Sequence, residues 1–209
     1  MAFTDIHFTR TRPYLYHLTD RDNLNHIRAT RAMLSAAVLL QQAGDNAYLR
    51  AKRQSSIQVK IGQRVISIRD QQPLHAGNIT FQGGYGFADV IEMLNKRVFF
   101  WPGTSHGPIS YGERHFLRYE NDQPVILRVA TADLFQTNSD VSPLYCRYNS
   151  GSPRCTGGKG SPRGPVTFAL AEDADFTASN VVEVTFLNQV TLPARVEASD
   201  SINGPWRKV

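Results

Sequence analysis

Residues 14–20 of the chain read YLYHLTD, and residues 21–27 continue as RDNLNHI. The first segment alternates large side chains as a short strand does, so His17 and Thr19 should share one face of a sheet. Asp20 or Asp22 is placed to cap a following helix, because a carboxylate accepts hydrogen bonds from the free amides of the first turn. We therefore expect a strand that leads into a capped helix and carries two polar side chains at a pocket rim. The alternative for His17 is a half-buried histidine that only supports the fold.

The length and composition are those of an ordinary globular protein. The chain has 209 residues, of which 41% are hydrophobic and 20% are charged, and this length allows a buried core without disulfides. No apolar run approaches the roughly 20 residues of a membrane span, and residues 1–12 lack the apolar segment of a signal peptide. We expect one domain over residues 1–209, no membrane association and a cytoplasmic location.

The chain contains two cysteines, Cys146 and Cys155. No histidine or third cysteine stands near them to complete the four ligands of a structural zinc. We expect free thiols and no metal site. A disulfide across this short loop is the alternative for a protein that works outside the cell.

The basic residues are unevenly distributed along the chain. The formal net charge is +5, and residues 1–64 hold ten basic and four acidic side chains. Residues 141–169 contain no acid and four cations, which are Arg147, Arg154, Lys159 and Arg163. They belong to a long irregular stretch, 138–165, and such loops are usually functional or disordered. We expect a substrate loop in which Gly and Pro hold the cations off the core, where they face a polyanion such as nucleic acid or a dinucleotide.

Hydrophobic periodicity predicts helices and strands along the rest of the chain. The helices are expected at 36–42, with Ser35 as its cap, at 45–53, 87–95 and 111–120, and as a turn capped by Thr131 at 131–135. The strands are expected at 57–60, 64–68, 98–101, 124–129, 181–186 and 190–196. The strand at 98–101 reads VFFW, and a continuous apolar strand of this kind is typical of the inside of a sheet.

Two polar features of the predicted strands have open interpretations. Residues 69–71, which read RDQ, are either a polar strand end or a hydrogen-bonded network beside the pocket. Glu183 is the one carboxylate within residues 181–186, VVEVTF. Desolvation would raise its pKa unless a cation or hydroxyl pairs with it, and such groups tend to mark functional sites. The alternative is a solvated edge strand with Glu183 beside Thr185.

Eight short motifs follow one another in the order seen in an uncharacterised bacterial domain family. They are YHLT at 16–19, KR at 52–53, IRDQ at 68–71, LN at 94–95, RVFFW at 97–101, NSG at 149–151, PRG at 162–164 and VEV at 182–184. This resemblance covers nearly the whole chain. Through the histidine strand, an arginine on the segment after it and a glutamate on a late strand, the family in turn looks distantly like the DarT DNA ADP-ribosyltransferase toxins.

The resemblance to the DarT toxins implies an α+β fold, with an ADP-ribosyltransferase-like mixed core of two packed sheets and flanking helices around an NAD cleft. It implies an NAD-dependent glycosyltransferase that moves ADP-ribose from NAD to a nucleic-acid base. Glu183 and Arg53 would be catalytic, with Arg50 as the alternative arginine. The NAD contacts would come from His17, Thr19, Tyr48, Arg50 and Arg53. The nucleic-acid contacts would come from Arg147, Asn149, Arg154, Lys159 and Arg163.

The implied chemistry suits a carboxylate at position 183. Breaking the bond between nicotinamide and ribose develops positive charge on the ribose, and a nearby carboxylate stabilises this charge more in the transition state than in the ground state. We expect a monomer, DNA rather than RNA as partner, and an antitoxin or a hydrolase that reverses the modification as a further partner. The alternatives are a non-catalytic module that binds NAD or nucleic acid and an ADP-ribosyltransferase that acts on protein.

Overall fold

The computed structural model describes residues 3–122 and 124–209, which form a mixed α/β fold. Six α-helices lie in these residues: α1 (Asp5–Thr11), α2 (Leu24–Thr30), α3 (Ala36–Gln42), α4 (Phe87–Asn95), α5 (Ser110–Arg118) and α6 (Thr131–Thr137). The strands are β1 (Tyr14–Asp20), β2 (Ala32–Leu34), β3 (Ile57–Ile61), β4 (Arg64–Ile68), β5 (Ile79–Phe81), β6 (Arg97–Thr104), β7 (Gly107–Pro108), β8 (Pro124–Ala130), β9 (Leu144–Cys146), β10 (Ser161–Arg163), β11 (Glu183–Leu187), β12 (Gln189–Thr191), β13 (Val196–Ser199) and β14 (Arg207–Lys208).

One large antiparallel sheet organises the molecule. Its strand order is β14-β13-β8-β1-β6-β11-β9, and β7 pairs with the end of β6. The remaining strands form three two-stranded sheets, which are the hairpin of β3 and β4, the pair of β2 and β12, and the parallel pair of β5 and β10. The chain therefore combines helices with mostly antiparallel strands, which confirms the expected mixed class.

The large sheet divides along β6. The last residues of β6 pair with β1, where Trp101 is opposite Tyr16 and Gly103 is opposite Tyr14. The first residues of β6 pair with β11 instead, where Phe99 is opposite Thr185. Beyond Tyr16, the described pairing of β1 is with β8. A cleft therefore opens between the second half of β1 and the first half of β6.

Buried apolar side chains cover both faces of the sheet beside this cleft. The largest cluster includes Leu15, Phe100 and Phe186 and lies on one face of the sheet. Tyr16 and Leu18 point to the other face, where they belong to the cluster that packs under α5. Burying one such side chain contributes roughly 1.5–3 kcal/mol, so the strands that border the cleft are anchored on both sides.

Most of the predicted elements are present. The strand that begins at Tyr14, the hairpin of β3 and β4, and the helices at 36–42 and 87–95 lie where the sequence predicts them. The cap of α3 is Ser35, whose hydroxyl accepts a hydrogen bond from Val38 N at 3.3 Å. The VFFW segment is inside the large sheet, between β1 and β11.

The helix predicted at 45–53 is wrong, because these residues form turns and bends. The side-chain amide of Asn95 donates to the carbonyl oxygens of Tyr48 and Leu49, at 2.9 and 3.1 Å. A helix would have used these carbonyls for its own backbone bonds. The tertiary contact with α4 therefore replaces the local helical bonding.

Three smaller predictions also need correction. Thr131 does not cap α6, since Ala130 is the cap residue and the Thr131 hydroxyl donates to Arg12 O at 2.5 Å. Residues 190–196 divide between β12 and β13, which belong to different sheets. The stretch 138–165 is not wholly irregular, because β9 pairs with β11 and β10 pairs with β5.

Candidate functional site

The cleft between β1 and β6 opens into a cavity of about 750 Å³, a volume typical of sites for small molecules and cofactors. Its walls come from β1, β4, α4, β6, α5, β11 and the stretch 147–163. Among the predicted site residues, the cavity is lined by His17, Thr19, Arg53, Arg147, Asn149, Arg154, Lys159, Arg163 and Glu183. Residues from distant parts of the chain therefore meet at one place.

His17 lies where β1 and β6 separate. Its Nδ1 is 2.8 Å from the carbonyl oxygen of Phe99, which lies beyond the paired part of β1 and β6. Because a carbonyl only accepts, Nδ1 donates, and Nε2 is an acceptor when the ring is neutral. Burial lowers the pKa of His17 to about 4, so the ring is neutral at physiological pH. Thr19 is buried nearby, and its hydroxyl accepts from Asn23 Nδ2 at 3.3 Å.

Arg53 is held in the cavity wall by the RDQ segment and by α4. It is 4% exposed, and its Nε donates to Arg69 O while its Nη1 donates to Asn95 Oδ1, both at 2.9 Å. Its backbone exchanges hydrogen bonds with Gln71, from Gln71 N to Arg53 O at 2.9 Å and from Arg53 N to Gln71 Oε1 at 3.2 Å. Burial lowers the pKa of Arg53 to about 10, which still leaves it a cation. The RDQ segment is thus part of a hydrogen-bonded network.

Glu183 is buried, with 2% of its surface exposed. Its Oε1 accepts a hydrogen bond from Ser150 N at 3.1 Å. Its Oε2 has no partner with hydrogen-bond geometry among the described residues, and the Ser150 hydroxyl nevertheless favours the carboxylate form. Burial raises the pKa of Glu183 to about 7, and Ser150 and Arg163 oppose this rise. The alternative of a solvated edge strand does not apply, because β11 lies between β6 and β9.

Arg163 is not held off the core as the sequence predicted. It is 1% exposed. Its guanidinium donates to Ser150 O at 3.2 Å, Asn149 O at 2.9 Å, Ser161 Oγ at 2.7 Å and Pro162 O at 2.7 Å. These bonds occupy most of its donors, so the geometry makes Arg163 the residue that fixes the segment 149–150, which in turn binds Glu183.

Three other cations of the same stretch are exposed and line the cavity: Arg147, Arg154 and Lys159. Arg147 is 3.5 Å from Asp175, an exposed and weak pairing. A groove of about 470 Å³ adjoins the cavity, shares Arg118 and Arg154 with it and adds Lys52. The described residues that line this groove include no acid, so its electrostatic character is positive.

Arg50 and Tyr48, which the sequence assigned to NAD binding, are not among the residues that line the cavity. Arg50 is exposed and forms ion pairs with Asp89, at 2.6 Å, and with Glu92, both on α4. Tyr48 packs against the hydrophobic side chains of α3 and of the hairpin of β3 and β4. Of the two candidate arginines, Arg53 is therefore the one that reaches the cavity.

Sequence reasoning missed the part of the cavity next to α5. Tyr111, His115 and Tyr119 line the cavity, and their four-residue spacing is that of one helix face. Arg69 connects this part to β1, because its guanidinium lies over the Tyr119 ring, 4.7 Å from the centroid, and donates to Thr19 O at 3.1 Å. The spacing within the predicted helix 111–120 was the signal that could have identified these residues.

Buried polar atoms without a hydrogen-bond partner concentrate at the cavity. The described residues contain eight such side-chain atoms, and six belong to residues that line it. These six are His26 Nε2, Arg69 Nε, Arg97 Nε, Trp101 Nε1, Ser150 Oγ and Glu183 Oε2. Folded proteins pair nearly all of their buried polar groups, so this concentration is typical of a site that a ligand completes.

Within residues 3–122 and 124–209, no group of three or more His, Cys, Asp or Glu side chains is arranged to hold a metal ion. Cys146 and Cys155 are free thiols, as predicted, the first buried and the second exposed. The longest described helices, α4 and α5, have nine residues each, and none of the described helices has the length and apolarity of a membrane span.

The fold and the cavity define a mixed α/β protein with a large cavity, which is lined by apolar side chains together with charged and polar ones. A family model described as a family of unknown function (DUF7002) matches residues 13–196, and the chain therefore belongs to this family. The matched range contains every residue that lines the cavity. Comparison with curated proteins and with solved structures gives no match.

Proposed function

We propose that this protein transfers ADP-ribose from NAD to a nucleic-acid base and that the cavity between β1 and β6 is its active site. One observation carries the proposal: His17, Arg53 and Glu183, which are distant in the sequence, line the same cavity. These are the positions to which the resemblance to the DarT toxins assigns NAD binding and catalysis.

The groups in the cavity suit a dinucleotide. The neutral ring of His17 offers an acceptor for a hydroxyl or an amide N–H. Arg53 offers a buried cation that forms no ion pair with the described carboxylates, and such a cation attracts an anion such as a diphosphate. Oε2 of Glu183 lacks a donor, and a ribose hydroxyl would supply one. The cavity therefore offers complementary groups for a hydroxyl or amide, for the diphosphate and for a ribose hydroxyl of NAD.

In the proposed reaction, the bond between the ribose C1 atom and the nicotinamide nitrogen breaks, and its electron pair leaves with neutral nicotinamide. A nitrogen of the acceptor base forms the new bond to C1 and loses its proton to solvent. Glu183 as a carboxylate, hydrogen-bonded to a ribose hydroxyl, would stabilise the positive charge that develops on the ribose. Because the pKa of Glu183 is about 7, the rate should increase as pH rises through neutrality and more carboxylate is ionised.

The charge around the cavity mouth supports a polyanionic acceptor. Arg147, Arg154 and Lys159 are exposed there, and the adjoining groove adds Lys52 and Arg118 without an acid among its described lining residues. Phosphate contacts of this kind supply the sequence-independent part of nucleic-acid affinity. We propose DNA as the acceptor and assign these cations, rather than the buried Arg163, to its phosphates.

The test is to incubate the protein with labelled NAD and DNA and to measure nicotinamide release, label transfer and NAD affinity. Glu183→Gln should lower the rate of nicotinamide release by about 10²-fold or more, with NAD affinity little changed. Arg53→Gln should weaken NAD binding, because it removes the buried cation. Arg50→Gln is the matched control, since the same substitution three residues earlier lies outside the cavity, and it should behave like the parent.

The outcomes separate the candidate functions. NAD binding without turnover in the parent would replace the enzyme by a binding module, and label on RNA or protein would correct the acceptor. A rate that falls less than about threefold in Glu183→Gln, under roughly 1 kcal/mol of barrier, would remove Glu183 from the chemistry. Equal losses in Arg50→Gln and Arg53→Gln would show that the cavity is not the NAD site.

A further inference from the structure

An aromatic pair forms the end of the cavity next to α5. The rings of Trp101 and His115 are stacked, with 4.3 Å between their centroids and 30° between their planes. Tyr119 meets the edge of His115 at 5.1 Å. All three residues line the cavity, and none of them belongs to the groups that the proposed chemistry uses.

Close packing of α5 on β6 fixes this pair. A Cβ atom on Gly112 would lie 2.9 Å from Trp101 Cβ and 2.8 Å from Pro108 Cβ, distances that real side chains do not tolerate. Only glycine therefore lets the first turn of α5 lie directly on Trp101. His115, one turn later on the same face, is thereby held flat against the indole ring.

The hydrogen-bonding groups of the pair are not used within the protein. Trp101 is 6% exposed, and its Nε1 has no partner among the described residues. Burial, assisted by the positive charge of Arg69, lowers the pKa of His115 to about 3, so its ring is neutral, with one donor and one acceptor nitrogen. Neither nitrogen forms a hydrogen bond with the residues that the structure describes, in contrast to His17, which is bonded to Phe99.

The unpartnered Trp101 Nε1 is unusual for a purely structural aromatic cluster, because a buried Trp side chain normally finds a partner for its ring nitrogen. His115 is half-buried. The neighbouring cluster of Tyr16, Leu18 and Phe116 is apolar and would have needed only apolar rings at these positions. The two exposed arginines on α5, Arg114 and Arg118, also line this end of the cavity. A ligand here therefore meets a ring surface, unused donor and acceptor atoms, and positive charge.

We propose that Trp101 and His115 form a subsite for a nucleobase, with the edge of the base hydrogen-bonded to their ring nitrogens and its phosphate near Arg118. A base edge carries both donors and acceptors, which a neutral imidazole and an indole N–H complement. The base has two possible sources, the adenine of NAD and the acceptor strand. For the identity of its ligand, this inference rests on the proposed function, whereas the existence of the subsite is tested independently of turnover.

The experiment measures binding of three probes to the full chain. The probes are AMP, an eight-nucleotide single strand without adenine, and nicotinamide mononucleotide, which lacks the adenosine half of NAD. His115→Phe keeps a flat ring on Trp101 but removes both nitrogens, and Trp101→Phe removes the Nε1 donor. His106→Phe, an exposed histidine outside the cavity lining, is the matched control. Thermal melting of each variant checks that it is folded.

The subsite predicts that His115→Phe and Trp101→Phe each weaken binding of the base-containing probe by about tenfold, while nicotinamide mononucleotide and the His106→Phe control bind as in the parent. Loss of AMP affinity assigns the subsite to the adenine of NAD. Loss of strand affinity, with NAD already bound, assigns it to the acceptor. Parental affinity of both folded variants for AMP and for the strand would overturn the inference.

The same measurements keep this inference apart from the proposed function. If NAD binds and turns over but neither variant changes the affinity of any probe, the subsite is wrong and the proposed function stands. If NAD fails to bind while AMP or the strand binds in a manner that depends on His115, the subsite stands and the proposed function falls.

Discussion

Replacing Glu183 by Gln tests the central electrostatic feature of the site without any knowledge of the ligand. Gln keeps the size of the side chain and the acceptor for Ser150 N, but it cannot ionise. The pKa of Glu183 is about 7 in the folded chain, above its ordinary value of 4.5. Between these values the unfolded chain has lost the proton and the folded chain has kept it, so the free energy of unfolding decreases as pH rises through this range.

The size of the effect follows from the separation of the two pKa values. It corresponds to about 3 kcal/mol, because each tenfold change in proton affinity is worth about 1.4 kcal/mol. At pH 5 the parent and Glu183→Gln should therefore differ little, whereas at pH 8.5 the variant should be more stable by about 3 kcal/mol. For a chain of this length, that difference raises the melting temperature by about 6–12 °C.

The assay is thermal or urea unfolding of both proteins at several pH values from 5 to 8.5. His17 and His115, whose lowered pKa values destabilise the fold as pH falls below their ordinary range, are present in both proteins, so their contribution cancels in the difference. A difference that does not change with pH would refute the reasoning. It would mean that Arg163 keeps Glu183 ionised and that burial does not raise its pKa.

Three further predictions concern the loop and the thiols. Arg163→Lys should lower the free energy of unfolding by about 3 kcal/mol, because an ammonium group cannot replace its bonds to four oxygen atoms; a loss under about 1 kcal/mol in urea unfolding contradicts this structural role. Arg154→Gln should flatten the slope of log DNA affinity against log salt concentration by about 0.7 to 0.9. The control is Lys60→Gln, an exposed cation on β3, which should leave the slope unchanged; equal slopes in the two variants would contradict the phosphate contact. Cys155→Ser should melt like the parent, whereas Cys146→Ser should lower the free energy of unfolding by about 1 kcal/mol, because Cys146 is buried among apolar side chains. Identical melting of the two variants would show that the burial of Cys146 does not contribute to stability.

The sequence could predict the individual helices and strands around the cavity better than it could predict which strands pair with each other. The alternation in residues 14–20 and in the hairpin of β3 and β4 depends on local side-chain pattern, and both predictions are confirmed. The division of the large sheet depends on register instead, because Trp101 pairs with Tyr16 while Phe99, two residues earlier, pairs with Thr185. Period-two alternation does not specify which neighbour each half of a strand pairs with.

The choice between Arg50 and Arg53 shows the same limit at the level of one side chain. Both are arginines in a basic segment, and composition cannot separate them. α4 separates them in the fold, because Asp89 and Glu92 on its outer side pair with Arg50, while the buried Asn95 binds Arg53. The choice between Arg50 and Arg53 therefore depends on residues about 40 positions further along the chain. It is decided by which face of α4 points inward.

The unpartnered Oε2 of Glu183 predicts that ligand binding is coupled to the release of a proton. A ligand that donates a hydrogen bond to Oε2 favours the ionised carboxylate and lowers the pKa of Glu183 from about 7. Binding near pH 7 should then release a fraction of a proton, and the release should vanish in Glu183→Gln and well above pH 8, where Glu183 is already ionised. Calorimetry with NAD in buffers of different ionisation enthalpy measures this release directly. Proton uptake on binding, or release that persists in Glu183→Gln, would contradict a hydrogen bond from the ligand to Oε2, because His17 and His115 are already neutral near pH 7 and do not account for the release.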